Sequence, residues 1–450
     1  MKNFLIAFFL FQFIFIRAET PIDEIIVVGS YLQSTESDLS PISIIDKDLI
    51  DDLNISSIAE ISKYISSSSG SHFQANTLGG VDQGMASITL RGLDHASTLV
   101  LINSKRHTFA GTPSNQGEGY IDVNIIPEIA INRVEILKEG ATSLYGSDAV
   151  AGVINFSLLR KFKGLSLDFS YQETDNYDQS ESSLGMLYGW SSNKVNFVLG
   201  FNHLDRNPLS ASEIPGIAEL ALSGLGKTFK VKEDAFVSSG PYSGNYSKDD
   251  LIPDPRCEIN GGILSGGRCR FLYGNRFNIV NDETHNKLYS SVTLESEKFD
   301  FNSTLIYSSV DVNDNPQSPS YPALPFLSRP IEANQAGNPF GVQVTWYGRP
   351  LGSEFASPHS PKDISQYHLS NEFIFELDAS STLEISLTNS MHSNDHKRPD
   401  IIDSRFLNAI NGQGGSSGNE LWNIFDSQEL SIDLINYVSG FEKSKKEASL

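Results

Sequence analysis

From residue 164 onward, apolar and polar side chains alternate with a period of two, in segments about ten residues long. Leu165, Leu167, Phe169 and Tyr171 alternate with Ser166, Asp168, Ser170 and Gln172. Leu184, Met186, Tyr188 and Trp190 form a second apolar face, and Val195, Phe197, Leu199 and Phe201 a third. Leu288, Val292 and Leu294 mark a fourth, and Phe299, Phe301, Leu305 and Tyr307 a fifth. Leu369, Phe373, Phe375 and Leu377 mark a sixth, against Ser370, Glu372, Glu376 and Asp378. Leu383, Ile385 and Leu387 mark a seventh, against Glu384, Ser386 and Thr388. Successive side chains of a strand point to opposite faces, so the pattern restricts this region to strands with one apolar and one polar face. Strands of that length and pattern suit a transmembrane barrel, but a soluble sandwich alternates too.

The connections discriminate between the two. Tight turns are expected near residues 192–193, 297–298 and 379–381, and long links over about 173–183, 206–284 and 311–363. Short and long alternate strictly. Outer-membrane barrels have short periplasmic turns and long outer loops, whereas a sandwich has no reason to segregate loop length. Tyr188 and Trp190, near a strand end, suit an interfacial girdle.

The chain's start fits the same destination. Lys2 precedes an apolar run over residues 4–16, broken only by Gln12, and Ala18 offers a small residue for cleavage. This predicts a secretory signal peptide over residues 1–18 with Glu19 as the mature terminus. As a helix the run would cover only about 20 Å of a ~30 Å hydrocarbon core. No later stretch reaches 18 uninterrupted apolar residues, so membrane contact would fall to strands. Hydrophobic residues make up 39%, too many for general disorder and too few for a helical bundle. A net charge of −22 argues against a nucleic-acid surface. Two cysteines in 450 residues exclude a disulfide scaffold or a Cys-rich zinc module.

Residues 19–163 read differently. Residues 21–30 are a short β-branched run, either an ordinary first strand or an extended segment free to join a partner's sheet edge. Residues 40–45 read as a strand. Asp46 is placed to N-cap a helix over residues 47–53, and Ile58, Ile61, Tyr64 and Ile65 have helical spacing within residues 57–65. Residues 66–84 form a Ser/Gly/Asn loop, and residues 86–91, 97–102 and 132–138 read as strands.

Two ordered motif sets stand in this region. The first is Ile88-Thr89-Leu90-Arg91-Gly92-Leu93 followed by Thr98-Leu99-Val100-Leu101-Ile102-Asn103. The second is Arg133-Val134-Glu135-Ile136-Leu137-Lys138-Glu139-Gly140 followed by Ser143-Leu144-Tyr145-Gly146-Ser147-Asp148-Ala149-Val150-Ala151-Gly152-Val153-Ile154-Asn155. In order, spacing and residue type this region resembles the plug of TonB-dependent outer-membrane receptors, over about residues 23–163. Asp23, Glu24, Ile25, Ile26, Val27, Val28 and Gly29 then resemble a TonB box. One departure is Asn103-Ser104, where the family usually has Asp/Asn-Gly. Serine tolerates a primed turn poorly, which predicts a hairpin built differently.

The resemblance implies a mainly β protein, with a small α+β plug domain followed by an incomplete transmembrane antiparallel β-barrel. Residues 1–18 would be the signal peptide, 19–31 the TonB-box region, 32–163 the plug and 164–450 the partial barrel with long extracellular loops. Arg91 and Arg133 sit where family plugs are locked by ion pairs to barrel-wall carboxylates. Gly92, Gly140, Gly146 and Gly152 suit plug turns and close backbone approach. Implied partners are the periplasmic energy transducer TonB, outer-membrane lipid and a scarce nutrient such as an iron chelate, vitamin complex or oligosaccharide. No extra signalling domain is expected before the box, which would argue against a transducer that also controls transcription. The rival readings are a passive outer-membrane porin and a periplasmic binding protein.

The long links carry the remaining signals. Cys257 and Cys269 enclose 11 residues; in an oxidising compartment a disulfide is expected, contributing roughly 2–3 kcal/mol. Residues 270–274, 338–341 and 348–352 also resemble loop segments of one receptor subgroup. Gly226-Lys227-Thr228 ends like a phosphate loop, but Ala221 stands at the first glycine position. Asp311, Asn313 and Asn315 begin like a calcium loop, but Pro316 replaces its glycine. His392 and His396 would lie about 13 Å apart on a strand, too far to share a metal. No catalytic arrangement, metal site or cofactor is expected. About seven strands follow the plug, where family barrels have about 22. Residues 446–450 fall in what should be an outer loop, so the resemblance implies the N-terminal part of a receptor, with sheet edges that lipid cannot satisfy.

Overall fold

The structure is a computed structural model and describes residues 42–450, other than 54, 70–71, 74–82, 115–116, 277, 315–328, 353–354, 356–358, 379–380 and 427–429. The expected signal peptide and the box over residues 23–29 lie outside the described residues.

The N-terminal unit is built on five strands: β1 (Ile42–Asp46), β2 (Thr98–Ile102), β3 (Lys105–Arg106), β4 (Ile131–Leu137) and β5 (Gly152–Leu158). Their order is β1-β4-β5-β2-β3, with β2 and β5 parallel and the other pairs antiparallel. β2 is buried at every residue and β5 at all but one, which explains their near-continuous apolar sequences. The helix Lys47–Asp52 starts where Asp46 accepts the Leu49 N–H at 2.9 Å, a cap worth about 1 kcal/mol. The turns of the 3₁₀ helix Ile58–Tyr64 bury Ile58 and Ile61 against Val134, Ile154 and Phe156. Gly152 is obligatory: its φ is +144°, and an added Cβ would lie 2.3 Å from the Leu137 carbonyl oxygen.

Two local expectations are corrected here. The strand expected over residues 86–91 shrinks to Ala86–Ser87. Leu90 gives its N–H to Thr98 Oγ1, and the chain turns through positive φ at Arg91 and Gly92. The alternation of Ile88 and Leu90 reflects burial, not a continued ladder. The Asn103-Ser104 hairpin is built as a primed turn after all, with φ of 48° and 65°. Two non-glycine residues in that region cost ~1–2 kcal/mol each. Three hydrogen bonds from β5 offset this: Asn103 N–H to Phe156 O, Leu158 N–H to Asn103 Oδ1, and Ser104 N–H to Asn155 Oδ1.

The remainder forms an eight-stranded antiparallel sheet, the wall. Its strands are β6 (Gly164–Glu173), β7 (Ser180–Ser191), β8 (Val195–Arg206), β9 (Asp282–Glu295), β10 (Phe299–Asp314), β11 (Lys362–Asp378), β12 (Ser381–Ile401) and β13 (Ser439–Ser449). Every neighbour in the sheet is a neighbour in sequence. All seven expected strands are present. The eighth, β13, corrects the placing of residues 446–450 in a loop. It pairs only with Met391–Ile401, the outer half of β12. About ten strand residues cross an apolar band of ~25 Å at the usual tilt, so residues 381–390 suffice for that. β13 therefore lies beyond the band and carries no apolar alternation.

The wall is inverted relative to a soluble sheet. Leu165, Phe169, Met186, Trp190, Leu288, Leu305, Ile385 and Leu387 are exposed on its outer face. Asn196, Ser291, Thr293, Thr304, Gln366 and His368 are buried on its inner face, against the N-terminal unit. A soluble sandwich would bury the first set; a sheet in lipid exposes it. Ile385→Arg on the outer face is accordingly expected to destabilise the protein in bilayers by about 2–4 kcal/mol. Ser386→Arg, on the opposite face, is expected to cost under half of that. Urea titrations in lipid vesicles measure the difference.

On the outer side, segments from three long links share a second core. Phe229, Tyr242, Phe340, Trp346, Phe406, Trp422 and Phe425 pack together there. The strand Lys227–Val231 pairs with Leu251–Pro253 and Val344–Gly348. Cys257 and Cys269 are disulfide-bonded. Arg276 and Arg349 stack on the Phe271 ring at 4.8 and 4.7 Å, which draws the segments over residues 270–274 and 348–352 together.

Candidate functional site: the seam between the N-terminal unit and the wall

Because the inner wall face is polar, the N-terminal unit is held mainly by discrete ion pairs and hydrogen bonds. Lys105, the first residue after the strained turn, reaches β11 and β12. Its Nζ lies 2.9 Å from Glu372 Oε1 and 2.6 Å from Glu384 Oε1. Arg160, just after β5, places Nη1 2.9 Å from Glu372 Oε2, which also accepts from Asn302 Nδ2 at 3.1 Å. Glu372 thus binds two cations from the unit. Burial alone would lower the Lys105 pKa; hydrogen bonds to Glu384 and Glu372 outweigh it and raise the pKa above 10.5.

A second anchor runs the opposite way. Lys287 of β9 donates to Glu128 Oε1 at 2.5 Å and to the Ile126 carbonyl at 3.1 Å. Glu128 Oε1 also accepts the Ile58 N–H. Nearby, Glu181 of β7 binds Ser56 and Arg206, and Arg206 extends to Glu283. Neutral tethers complete the seam: Tyr289 OH to Leu159 O, Ser308 Oγ to Asn124 O, and Ile129 N–H to Asn202 Oδ1. Apolar contact adds to these: Leu187, Val198, Tyr289 and Ile306 of the wall join the core cluster of the N-terminal unit, and Met85, Ala110 and Tyr120 pack on Val310, Val312 and Ile364.

The expected lock residues occupy other places. Arg91 is exposed in its turn and has no ion pair among the described residues. Arg133 Nε donates to Glu135 Oε1 at 2.7 Å, within β4 itself. Glu135 also accepts from Asn155 Nδ2 at 3.0 Å, so this pair braces the unit's own sheet. Gly92 and Gly146 adopt positive φ in turns, and Gly140 packs against the Val150 carbonyl. Sequence reasoning missed Lys105, Glu128, Arg160, Lys287 and Glu372. A signal existed for two of them: Lys287 and Glu372 fall on the inward register of membrane strands, where a charge needs a partner. His392 and His396 have separate partners, Asp122 and Ser360.

Comparison with known proteins gives the same picture. Residues 35–153 match the family model described as the TonB-dependent receptor plug domain. The chain is 26% identical over 301 residues to the vitamin B12 transporter BtuB of Vibrio vulnificus, covering 64% of this chain and 42% of that protein. It is 32% identical over 144 residues to an iron-regulated outer membrane virulence protein of Vibrio cholerae, covering 31% and 21% of the two chains. Among solved structures, the unliganded ferric citrate transporter FecA aligns with a TM-score of 0.45 at 11% identity, covering 81% of this chain and 44% of that one. The chain spans less than half the length of these relatives. A domain seated on the polar inner face of an inside-out antiparallel wall defines a plugged transmembrane β-protein. The match places the similarity to TonB-dependent receptors in the N-terminal unit, over residues 35–153.

Proposed function

We propose that the chain supplies the plug and the leading part of the wall of an outer-membrane transporter. It would take up a scarce nutrient using energy delivered by TonB. The observation that carries this reading is the inverted wall with a plug tethered to its polar face. The relatives, a vitamin B12 transporter and an iron-regulated outer membrane virulence protein, point to a nutrient such as a vitamin complex or an iron chelate; an oligosaccharide suits the same scaffold. In this reading residues 1–18 direct secretion, and residues 23–29 add a strand to a sheet edge of TonB. Backbone hydrogen bonds would supply the affinity. The outer loop module and the plug surface beneath it would receive the nutrient.

A passive pore fits less well, because a plug fastened by specific ion pairs fills the space a pore needs. The test is uptake of cyanocobalamin and of a panel of iron-59 siderophores in cells with and without TonB. Uptake of one of them is expected to fall to background without TonB. Uptake through the receptor that is indifferent to TonB overturns the proposal.

A further inference from the structure

The seam holds a group of buried imidazoles that the ion-pair scheme does not use. His107 of the plug and His368 of β11 set their Nδ1 atoms 3.4 Å apart. His392 of β12 accepts the Gly111 N–H on Nδ1 at 3.1 Å, and its Nε2 lies 3.3 Å from Asp122 Oδ2. All four side chains are at most 5% exposed. Around them, Thr108 N–H donates to Ser390 Oγ, Gln366 Nε2 to Asp122 Oδ2, and Asn394 Nδ2 to Thr112 Oγ1. From β13, the Lys446 carbonyl crowds Gly111. Lys362 and His396 pair with each other further out along β11 and β12. Plug residues 107–112 are thus joined to β11 and β12 by two histidine contacts and two hydroxyl hydrogen bonds.

Hydrogen-bond accounting sets the protonation states. His392 Nδ1 accepts a backbone N–H, so its ring proton sits on Nε2 and faces Asp122. Between His107 and His368 only one Nδ1 can carry hydrogen if the contact is to be attractive. The arrangement therefore needs neutral rings. A second proton on His107 or His368 makes the two Nδ1–H groups oppose, with no water to spread the charge. Burial first, then the neighbouring His368, push the His107 pKa down to about 3. A histidine depressed in this way contributes stability that is complete above its ordinary value of 6.5 and declines as pH falls from 6.5 toward 3.

We propose that His107 and His368 form an acid-released latch, whose protonation frees plug residues 107–112 from β11 while the Glu372 ion pairs still hold. This goes beyond the transport reading and is testable without any uptake. Hydrogen exchange of residues 107–112, divided by that of residues 131–137 in the same sample, cancels the intrinsic pH dependence of exchange. For the receptor in detergent micelles this ratio is expected to rise at least tenfold between pH 7.5 and 5. In the His107→Gln/His368→Gln variant, which cannot take up these protons, the ratio is expected to change less than threefold. An unchanged ratio in the wild type overturns the latch whether or not the variant folds. An equal rise in wild type and folded variant overturns it as well.

Discussion

Ile26→Pro is expected to reduce energised uptake at least a hundredfold, to background, while nutrient binding at the cell surface stays within twofold of the wild type. Strand addition to a partner's sheet edge draws on backbone N–H and C=O groups. Proline removes one N–H from the middle of the seven-residue segment, and its ring restricts the preceding residue. An extended segment tolerates this at its end but not at its centre. Surface binding is spared because, in the proposed reading, the outer loop module receives the nutrient. Ile26→Ala keeps the N–H and is expected to retain most of the uptake, which separates a backbone effect from a side-chain effect. Normal uptake by Ile26→Pro in the complete receptor would remove the assignment of residues 23–29.

Glu372→Gln is expected to loosen the plug by about 2–4 kcal/mol. Removing one partner of a buried ion pair costs ~3–5 kcal/mol because the other charge stays uncompensated. Here that value is discounted, since Arg160 is about a third exposed and Lys105 keeps Glu384. Each 1.4 kcal/mol is a factor of ten in an equilibrium, so local opening of the plug should rise ~30- to 1000-fold. Two readouts follow: faster hydrogen exchange around Lys105, and greater sensitivity of cells to large antibiotics that the outer membrane normally excludes. Lys105→Met combined with Glu372→Gln is expected to cost less than the sum of the single changes, which isolates the pair. Additive losses would show that Glu372 and Lys105 are not coupled. The pH response separates this anchor from the histidines. The raised Lys105 pKa keeps its contribution complete below 10.5, to be lost as pH rises through the raised value. Acid therefore acts on the His107 group and alkali on Lys105.

Much of this was legible in the chain itself. Seven wall strands follow from period-two alternation, since a strand can satisfy such a pattern in only one way. The plug sheet follows in part from Thr98–Ile102, an apolar run buried at every residue, and from the strand read over residues 132–138. The cap at Asp46 was readable because capping is local. The Asn103-Ser104 turn was not, because its cost is met by Phe156, Leu158 and Asn155 from a strand some fifty residues away. β13 was hidden because it pairs outside the apolar band, where nothing selects for alternation.

The plug arginines show the same division. The sequence determined the architecture: which residues alternate, where strands turn, and that residues 35–153 match a plug domain. Only the tertiary structure decided which face of each strand meets lipid and which charges meet across the seam. Alternation defines two faces without saying which is inside. Arg91 and Arg133 look like lock residues by motif. Yet an ion pair depends on separations of a few ångströms between groups far apart in the chain. Lys105 meets Glu372, and Glu128 meets Lys287, only because the folded wall brings β9 and β11 against the plug.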